Sequence, residues 1–213
     1  MRDRLGEFLW SKQREIAESI VRNRYTAVKS SHDTGKCHGA SRIVSWWLDT
    51  HEDPFATTTA PTTKQVHAIL WRYIGQAHRK GSLAGRITFD DEWYMGSTGK
   101  ELVAFGRKPA DHDQSAFQGI HALNPLIVID EACSVPKSIF DAVDSLATNA
   151  NARVLAIGNP DDPSSHFAQI CKPGSGWHVI TVSAFDTPAY TGEEVPDELL
   201  PGRLSTFRAS AAG

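Results

Sequence analysis

Residues 30–41 read SSHDTGKCHGAS and contain a Gly-Lys pair, Gly35 and Lys36, between a β-prone segment and a helical one. In such a setting the backbone N–H groups of the loop and the helix N-terminus bind phosphate, and the lysine reaches the β- and γ-phosphates. The segment therefore predicts a nucleotide-binding loop in which Lys36 is a catalytic cation. The residues predicted to contact the nucleotide are Ser30, Ser31, His32, Asp33, Thr34, Gly35, Lys36 and Cys37.

The loop departs at both ends from the phosphate-loop pattern G-x-x-x-x-G-K-[ST]. Ser30 stands where the first glycine is expected, and Cys37 stands where a magnesium-binding hydroxyl is expected. A thiol is a soft ligand, whereas Mg²⁺ prefers hard oxygen ligands. We place Cys37 at the metal position, and two interpretations stay open: the metal is held mainly by Asp130, waters and phosphates, or the site is impaired.

The alternative for this loop is a surface turn with an incidental Gly-Lys pair. A second pair, Gly99 and Lys100, shows that the dipeptide alone proves little. That pair lies between two short predicted strands and precedes Glu101, which indicates a hairpin turn. Only the first pair has the strand-loop-helix setting of a phosphate site.

The run LIVIDEA (126–132) supplies the second half of the predicted site. Four apolar residues followed by two acids indicate a buried strand whose carboxyl end carries Asp130 and Glu131, at the edge where open α/β sheets bind ligands. We predict that Asp130 holds Mg²⁺ through water and that Glu131 is the catalytic base for an attacking water. The alternative is a strand that ends in a solvated acidic turn.

Two further polar residues lie at useful positions. Gln13 falls in the predicted helix before the loop, where an amide could pair with both adenine edges, although a surface glutamine is an equal alternative. Asn159 ends the apolar run LAIG (155–158) and could sense the γ-phosphate or position water. An Asn-Pro turn is the alternative for Asn159.

The elements that must position these residues alternate between strand and helix, which predicts an α/β fold with a mainly parallel sheet covered on both faces. Strands are predicted at 25–29, 55–60, 86–89, 92–95, 102–107, 125–130, 153–159 and 177–183. Helices are predicted at 8–23, 38–50, 61–80, 137–148 and 166–170.

Composition limits the remaining classes. The 213 residues, 40% of them hydrophobic, suit one domain with a sizeable core. No apolar run approaches the roughly 18 residues of a membrane span, and the charged N-terminus lacks the core of a secretion signal. Three scattered cysteines fit a reducing interior. With a net charge of −3, any nucleic-acid partner would have to meet local basic patches.

Together these motifs resemble the ATPase (motor) domain of the large terminase subunit of tailed bacteriophages. The resemblance runs from about residue 9 to residue 185 and rests on the glutamine helix, SSHDTGK, APTTKQV, AFQGIHA, PLIVIDEA and AIGNP. It implies a P-loop NTPase of the additional-strand, RecA-like (ASCE) type, with one strand inserted between the loop strand and the Asp-Glu strand. Lys36 would then bind phosphates, Asp130 the metal and Glu131 the proton, while Asn159 would couple hydrolysis to movement.

The resemblance also implies ATP and Mg²⁺ as substrate and cofactor and double-stranded DNA, the portal protein and a small terminase subunit as partners. A homo-oligomeric ring on the portal, a pentamer in this family, is expected in the host cell cytoplasm, with no membrane partner and with a monomer in isolation as the alternative. Because residues 30–35 contain no arginine, a neighbouring subunit is expected to supply one, and Arg107 is the leading candidate. A solvated arginine at a strand end is the alternative.

Residues 1–187 are predicted to form the ATPase domain, and residues 188–213, rich in Pro, Gly and acids, the start of a linker or flexible tail. Nothing in the sequence matches the acidic cluster of a nuclease domain, since Asp111, His112 and Asp113 read as a polar loop. Two other functions stay open. A helicase-like ATPase would need a second motor domain, and a nucleotide-sensing switch would not need the base at Glu131.

Overall fold

The computed structural model describes residues 5–108 and 122–196. The expectations for Asp111–Asp113, for most of the AFQGIHA motif and for the tail from residue 197 lie outside the described residues. Eight strands are described: β1 Tyr25–Ser30, β2 Pro54–Thr59, β3 Arg86–Ile87, β4 Glu92–Met95, β5 Glu101–Gly106, β6 Asn124–Ile129, β7 Arg153–Gly158 and β8 His178–Val182.

The strands form one sheet in the order β3-β4-β5-β2-β6-β7-β1-β8. Strands β5, β2, β6, β7, β1 and β8 pair in parallel, each with the next in this order. At the other end of the described sheet, β3 pairs antiparallel with β4, and β4 pairs antiparallel with β5. Strand β7 lies between β1, which leads into the loop, and β6, which leads into Asp130 and Glu131. The predicted α/β class and the inserted strand of a RecA-like P-loop fold are therefore confirmed.

Helices cover both faces of this sheet. They are α1 Ser11–Arg22, α2 Lys36–Thr50, α3 (residues 63–80), α4 Lys137–Leu146, α5 His166–Ile170 and α6 Pro188–Thr191. Each face of the sheet packs against its helices in a separate hydrophobic core, and alternate residues of β6 contribute to the two. Leu126 and Val128 pack with α1, α2 and α3, while Ile127 and Ile129 pack with α4 and α5. A central parallel strand buried on both faces explains the unbroken apolar run of its sequence.

Three helix starts differ from the predictions. Helix α1 begins at Ser11 because Trp10 is extended and its N–H donates to the Gln13 side chain, which caps the helix. Helix α2 begins at Lys36, so Cys37 lies in its first turn. Helix α3 begins at Thr63, where the Thr62 hydroxyl accepts the N–H of Gln65.

Helix α3 is also less regular than its sequence indicates. It consists of Thr63–Gln65, a π-helical segment at Val66–Trp71 and a final α-helical segment at Arg72–Lys80. The indole N–H of Trp71 donates to the Thr58 hydroxyl at 2.8 Å, which ties the π-helical segment to β2. π-Helical turns are rare, and they interrupt α-helices frequently at functional sites.

The segment predicted as the start of a linker contains α6 and then contacts the N-terminal helix. Glu193 accepts the backbone N–H of Ser11 at 2.9 Å and lies 3.2 Å from the guanidinium of Arg14. A carboxylate at a helix N-terminus satisfies a free N–H and complements the helix dipole. Among the described residues no helix is long and apolar enough to cross a membrane.

Candidate functional site

The predicted phosphate, metal and base residues converge at one edge of the sheet. Strands β1, β6 and β7 run parallel and end at this edge, where they lead into the loop, into Asp130 and into Asn159. Ligands bind at the carboxyl ends of strands in open α/β sheets because side chains from several strands meet there. The fold therefore brings into contact residues that are 93 and 123 positions apart in sequence.

The loop is closed by hydrogen bonds between its own residues. Ser30 and Thr34 are buried, and their hydroxyl oxygens lie 2.5 Å apart. The Thr34 hydroxyl also lies 3.2 Å from the carbonyl of Ser31. Asp33 and Gly35 have φ values of 56° and 76°, so two left-handed residues turn the chain from β1 into α2. This compact turn is the shape that an anion-binding loop requires.

Lys36 is held between the two neighbouring strand ends. Its Nζ atom donates to Asn159 Oδ1 at 2.6 Å and lies 3.7 Å from Glu131 Oε1. Only 8% of the Lys36 side chain is exposed, so these contacts replace much of its hydration. The ammonium group thus lies between a candidate base and a candidate γ-phosphate sensor.

Asn159 links the lysine to the loop. Its Oδ1 accepts from Lys36, and its Nδ2 donates to Nε2 of His32 at 2.6 Å. Because an amide nitrogen can only donate, Nε2 of His32 is the acceptor in this contact. Asn159 is 3% exposed, so both ends of its amide are used in a nearly dry environment.

Asp130 is the most deeply buried acid of the site. It is 1% exposed, and burial together with the charge of Glu131 raises its pKa to about 6. The Cys37 thiol donates to Asp130 Oδ2 at 3.5 Å, and burial raises the pKa of this thiol, as does the Asp130 carboxylate. The predicted metal-position pair is therefore in contact, with the sulfur in its protonated form.

Of the two side chains at the predicted metal position, Asp130 and Cys37, only one suits Mg²⁺. Asp130 offers the carboxylate oxygens that Mg²⁺ prefers. Cys37 does not fit, because a protonated thiol is neither a hard ligand nor an anionic one. Among the described residues, no group of three or more His, Cys, Asp or Glu side chains could hold a metal ion. Asp130 would have to share the ion with waters and phosphates.

Glu131 has a backbone conformation that is unusual for its type. Its φ of 48° and ψ of 45° lie in the left-handed region, and its N–H donates to Asp130 Oδ1 at 3.0 Å. Its side chain is 31% exposed, unlike that of Asp130. Non-glycine residues in this region are uncommon and cluster at functional sites. The geometry directs the two acids differently, one to the interior and one to the open edge.

Gln13 lies beside the loop, but its amide is already used. Its Nε2 donates to the carbonyl of Gly35 at 3.0 Å, and its Oε1 accepts the N–H of Trp10 at 3.4 Å. The residue is 6% exposed. The structure therefore places Gln13 at the loop as predicted, whereas its role in reading adenine stays a prediction.

Arg107 lies apart from this cluster. It follows β5, and its backbone N–H donates to Thr58 O at 3.0 Å, which fixes it at the same edge of the sheet. Its guanidinium lies 3.1 Å from Glu92 Oε1 and 4.7 Å from the centre of the Phe105 ring. The side chain is 53% exposed. It is accessible to a second molecule while held by its own chain.

An ionic cluster behind the loop was not predicted from the sequence. Buried Glu7 contacts the guanidinium of Arg42 at 2.8 Å, Nζ of Lys80 at 3.4 Å and Nε2 of His38 at 3.8 Å. Burial lowers the pKa of His38 to about 4, as does the nearby charge of Arg42. The cluster anchors α2 to two other segments. No motif could have revealed it, because its members come from three separate parts of the chain.

The chain is similar to known proteins in structure alone. Neither the protein-family models nor the curated proteins that were searched contain a match to the chain. The ATPase domain of the large terminase of Thermus phage P74-26 is similar in structure, with a TM-score of 0.64 and 15% sequence identity over 97% of this chain and 94% of that chain.

The large terminase of a thermophilic bacteriophage is similar with a TM-score of 0.62 and 14% identity, over 82% of this chain and 46% of that chain. The complex of the same terminase with ADP gives a TM-score of 0.63 and 14% identity, over 80% and 44% of the two chains. The chain therefore spans less than half the length of that full terminase. At this identity the similarity shows that the fold is that of terminase ATPase domains.

Proposed function

We propose that this chain is the ATP-hydrolysing motor domain of a phage DNA-packaging terminase. One observation carries the proposal: the ammonium group of Lys36 lies 3.7 Å from Glu131 and 2.6 Å from Asn159, at the edge where three parallel strands end. A cation at the end of a phosphate-type loop, with a carboxylate and an amide from the neighbouring strand ends beside it, provides the groups that phosphoryl transfer to water requires. The structural similarity to terminase ATPase domains, one of them in complex with ADP, supports the choice of nucleotide and process.

The contacts of Lys36 suggest how substrate would engage the site. A triphosphate would compete with Asn159 and Glu131 for the ammonium group, because phosphate oxygens carry more charge than an amide oxygen. Release of Glu131 from Lys36 would leave the carboxylate available to accept a proton from water. Asn159, freed from the lysine, would pass the state of the γ-phosphate to His32 and the loop.

Asp130 would hold Mg²⁺ in this proposal, with waters and phosphate oxygens as the other ligands. The ion would neutralise charge on the phosphates when bound. Asp130 is suited to this position because its carboxylate lies at the end of β6 and its backbone N–H is fixed by Thr59 O at 2.8 Å. The Cys37 thiol would be a neighbour of the ion and a weak ligand at best.

The partners follow from the proposed role. Double-stranded DNA, a portal protein and a small terminase subunit would meet this domain in a homo-oligomeric ring, a pentamer, in the host cell cytoplasm. Residues 1–187 would be the motor and residues 188–213 the start of a linker, with no nuclease site in this chain. The short helix α6 and the contact of Glu193 with α1 indicate that the first part of this linker packs against the motor.

Arg107 would act on the active site of a neighbouring subunit. Its position at the carboxyl end of β5 and its 53% exposure support this role, and its pairing with Glu92 would hold it until a neighbour docks. An arginine that stabilises the transferring phosphoryl group is worth about 10³–10⁵ in rate in comparable enzymes. Mixed Arg107→Ala and Glu131→Gln subunits should then hydrolyse more ATP than either variant alone. Equal activity of Arg107→Ala and the parent would exclude the role.

The proposal is tested by phosphate release with ATP and Mg²⁺, with and without duplex DNA. We expect slow turnover by the isolated chain, a rise with protein concentration because the arginine comes from a neighbour, and a further rise with duplex DNA. Hydrolysis that is unaffected by DNA at every concentration would contradict the motor role. Absence of any hydrolysis would favour the alternative below.

A nucleotide-sensing switch is the second candidate, favoured by the contact between Cys37 and Asp130. The thiol donates to Asp130 at 3.5 Å where a hydroxyl ligand is expected, which could weaken metal binding and turnover. Glu131, poised beside Lys36, counts against it, since a sensor needs no base. Tight nucleotide binding without hydrolysis in the presence of DNA would support the switch.

A further inference from the structure

Positive charge is concentrated in one segment of a chain whose overall charge is negative. Residues 54–89 contain five Lys and Arg residues and no Asp or Glu. The whole chain has 22 Lys and Arg against 25 Asp and Glu, so the rest of it has 17 against 25. The segment is therefore a local basic region of the kind that a polyanion partner of this acidic chain would need.

Three of these cations lie along the exposed side of α3. The exposed residues of this helix recur at positions 64, 68, 72, 76 and 80, and Arg79 is exposed as well. In a regular α-helix a spacing of four residues turns the side chain by about 40° at each step. The π-helical segment Val66–Trp71 has more residues per turn and offsets part of this drift. We define the α3 basic face as Lys64, Arg72 and Arg79.

No carboxylate neutralises the α3 basic face within the part of the chain that the structure describes. Its three cations form no ion pair there. The acids that do contact α3 pair with other residues of the helix: Asp91 lies 2.9 Å from His67, and buried Glu7 lies 3.4 Å from Lys80. The charge of the face is therefore available to a partner.

The spacing and surroundings of the cations suit the backbone of a duplex. At about 1.5 Å a residue, the row is roughly 20 Å long. Over that length duplex DNA presents about one phosphate charge per 1.7 Å of its axis. Ala68 and Gln76, which lie between the cations, provide no aromatic platform on which an unpaired base would stack. Contacts to phosphates hold DNA without reading its sequence.

The α3 basic face is attached to the helix that begins at the phosphate loop. Arg42 of α2 is 4% exposed, and its guanidinium donates to the carbonyl of Tyr73, the residue after Arg72, at 3.2 Å. Helix α2 starts at Lys36. A duplex on α3 would thus be connected to the loop through packed and hydrogen-bonded helices, without contacting the nucleotide.

We propose that the α3 basic face is the surface through which this domain holds the phosphate backbone of duplex DNA, independently of sequence. The inference rests on the proposed function and names the surface for its DNA partner. Each phosphate contact releases a counterion, so affinity should fall with salt. Three contacts should contribute about −2.7 to the slope of log K against log salt concentration.

The inference is tested by fluorescence anisotropy of a labelled duplex of about 30 base pairs, titrated at salt concentrations of about 50–200 mM. Lys64→Gln, Arg72→Gln and Arg79→Gln should each make the slope shallower by about 0.9. The triple variant should bind at least about 10²-fold more weakly than the parent at about 0.1 M salt. Glutamine removes the charge while keeping a similar helix propensity, so α3 should be retained.

Arg86→Gln is the matched control, because Arg86 is an exposed cation of the same segment on the other face of the sheet. Its neighbour Ile87 packs with the core that contains α3, and successive side chains of a strand point to opposite faces. This variant should bind the duplex as the parent does. Parental binding by the triple variant, or an equal loss in Arg86→Gln, would overturn the inference.

Two competing polyanions define the class of partner. A single strand of the same length should bind more weakly than the duplex, and poly-glutamate should compete poorly for the face. Tighter binding of the single strand would overturn the assignment to a duplex. Binding of poly-glutamate as tight as that of the duplex, lost in the same variants, would assign the face to an acidic protein. A parent chain that binds no duplex at the lowest salt concentration would also overturn the inference.

Phosphate release separates this inference from the proposed function. Without DNA, the triple variant should hydrolyse ATP as the parent does, because its three substitutions lie outside the nucleotide site. Its rise in turnover with duplex should be lost. An unchanged rise would overturn the inference and leave the proposed function intact. A parent without any hydrolysis would contradict the proposed function, and the duplex titration would still decide the inference. If thermal unfolding shows that the triple variant is not folded, the three single variants decide.

Discussion

At its first position the loop carries Ser30 in place of glycine, and after Lys36 it carries Cys37 in place of a hydroxyl residue. Ser30 lies at the extended end of β1, is 1% exposed, and its hydroxyl is 2.5 Å from that of Thr34. Cys37 instead directs its sulfur out of the loop, toward Asp130 at 3.5 Å. The serine closes the loop through its contact with Thr34, whereas the cysteine changes the type of ligand at the metal position.

The two positions are constrained in different ways. A glycine is required where the backbone needs a positive φ or a very close approach, and Ser30 needs neither because the left-handed turns are made by Asp33 and Gly35. The position after Lys36 is constrained by ligand type, since a hydroxyl and a thiol have similar shapes but differ in hardness. A departure from the motif is therefore tolerated where other residues of the loop supply the required backbone turns.

The largest effect is expected at the acid beside the metal position. Glu131→Gln should lower ATP turnover by about 10²–10⁴, because an amide of the same shape cannot accept a proton. Nucleotide binding should be retained, since Lys36 is unchanged. Single-turnover phosphate release with a parallel binding titration measures both quantities. Normal turnover in this variant would remove Glu131 from the role of base.

Cys37→Ser should raise the affinity for Mg²⁺ by about tenfold, at the lower end of the effects seen for residues around metal sites. The hydroxyl supplies the hard ligand that the thiol lacks, so the affinity for Mg²⁺ should increase more than the affinity for the softer Mn²⁺. Phosphate release measured across Mg²⁺ and Mn²⁺ concentrations reports both changes.

Cys171→Ser is the control for the cysteine substitution, because Cys171 follows α5 on the other face of the sheet. It should leave the metal dependence unchanged. If Cys37→Ser has no effect at any Mg²⁺ concentration, the metal position tolerates sulfur and the contrast between the two ends of the loop disappears.

Ser30→Ala should have the smallest effect and should act on stability, not on chemistry. Loss of its hydrogen bond with Thr34 should lower the free energy of unfolding by about 1 kcal/mol, measured by urea denaturation. Nucleotide affinity should change by less than threefold. Ser31→Ala, which removes the neighbouring hydroxyl, is the control. A large loss of affinity in Ser30→Ala alone would show that this end also contributes directly to phosphate binding.

The sequence was sufficient for the sheet and for the residues at its carboxyl edge. The apolar runs of β6 and β7 have the composition of buried parallel strands, and the polar residues that follow them, Asp130 and Asn159, must meet at one edge of such a sheet. Pattern and topology together therefore predicted which residues converge. The alternation of strand and helix also predicted cover on both faces, which the structure confirms.

Contacts between distant side chains could not be predicted in this way. The contact of Glu193 with Ser11 spans 182 residues, and the pairing of buried Glu7 with Arg42 depends on how the segment before α1 packs on α2. The amide of Gln13 could serve a base or a backbone carbonyl, and only the packed position of α1 shows that Gly35 O is its partner. Local propensity contains no information on such pairings, because they are set by tertiary packing.

We propose that the loop at Lys36, despite its two departures from the motif, is the hydrolytic phosphate site. The decisive measurement compares the ATP turnover of Lys36→Ala with that of Lys100→Ala at saturating Mg²⁺. Lys100 is the matched control because it also follows a glycine, in the turn between β4 and β5. We predict that Lys36→Ala loses turnover by at least about 10³, the lower end of what an arginine acting on the transferring phosphoryl group contributes in comparable enzymes, while Lys100→Ala stays within twofold of the parent. Equal turnover of Lys36→Ala and the parent would contradict the claim.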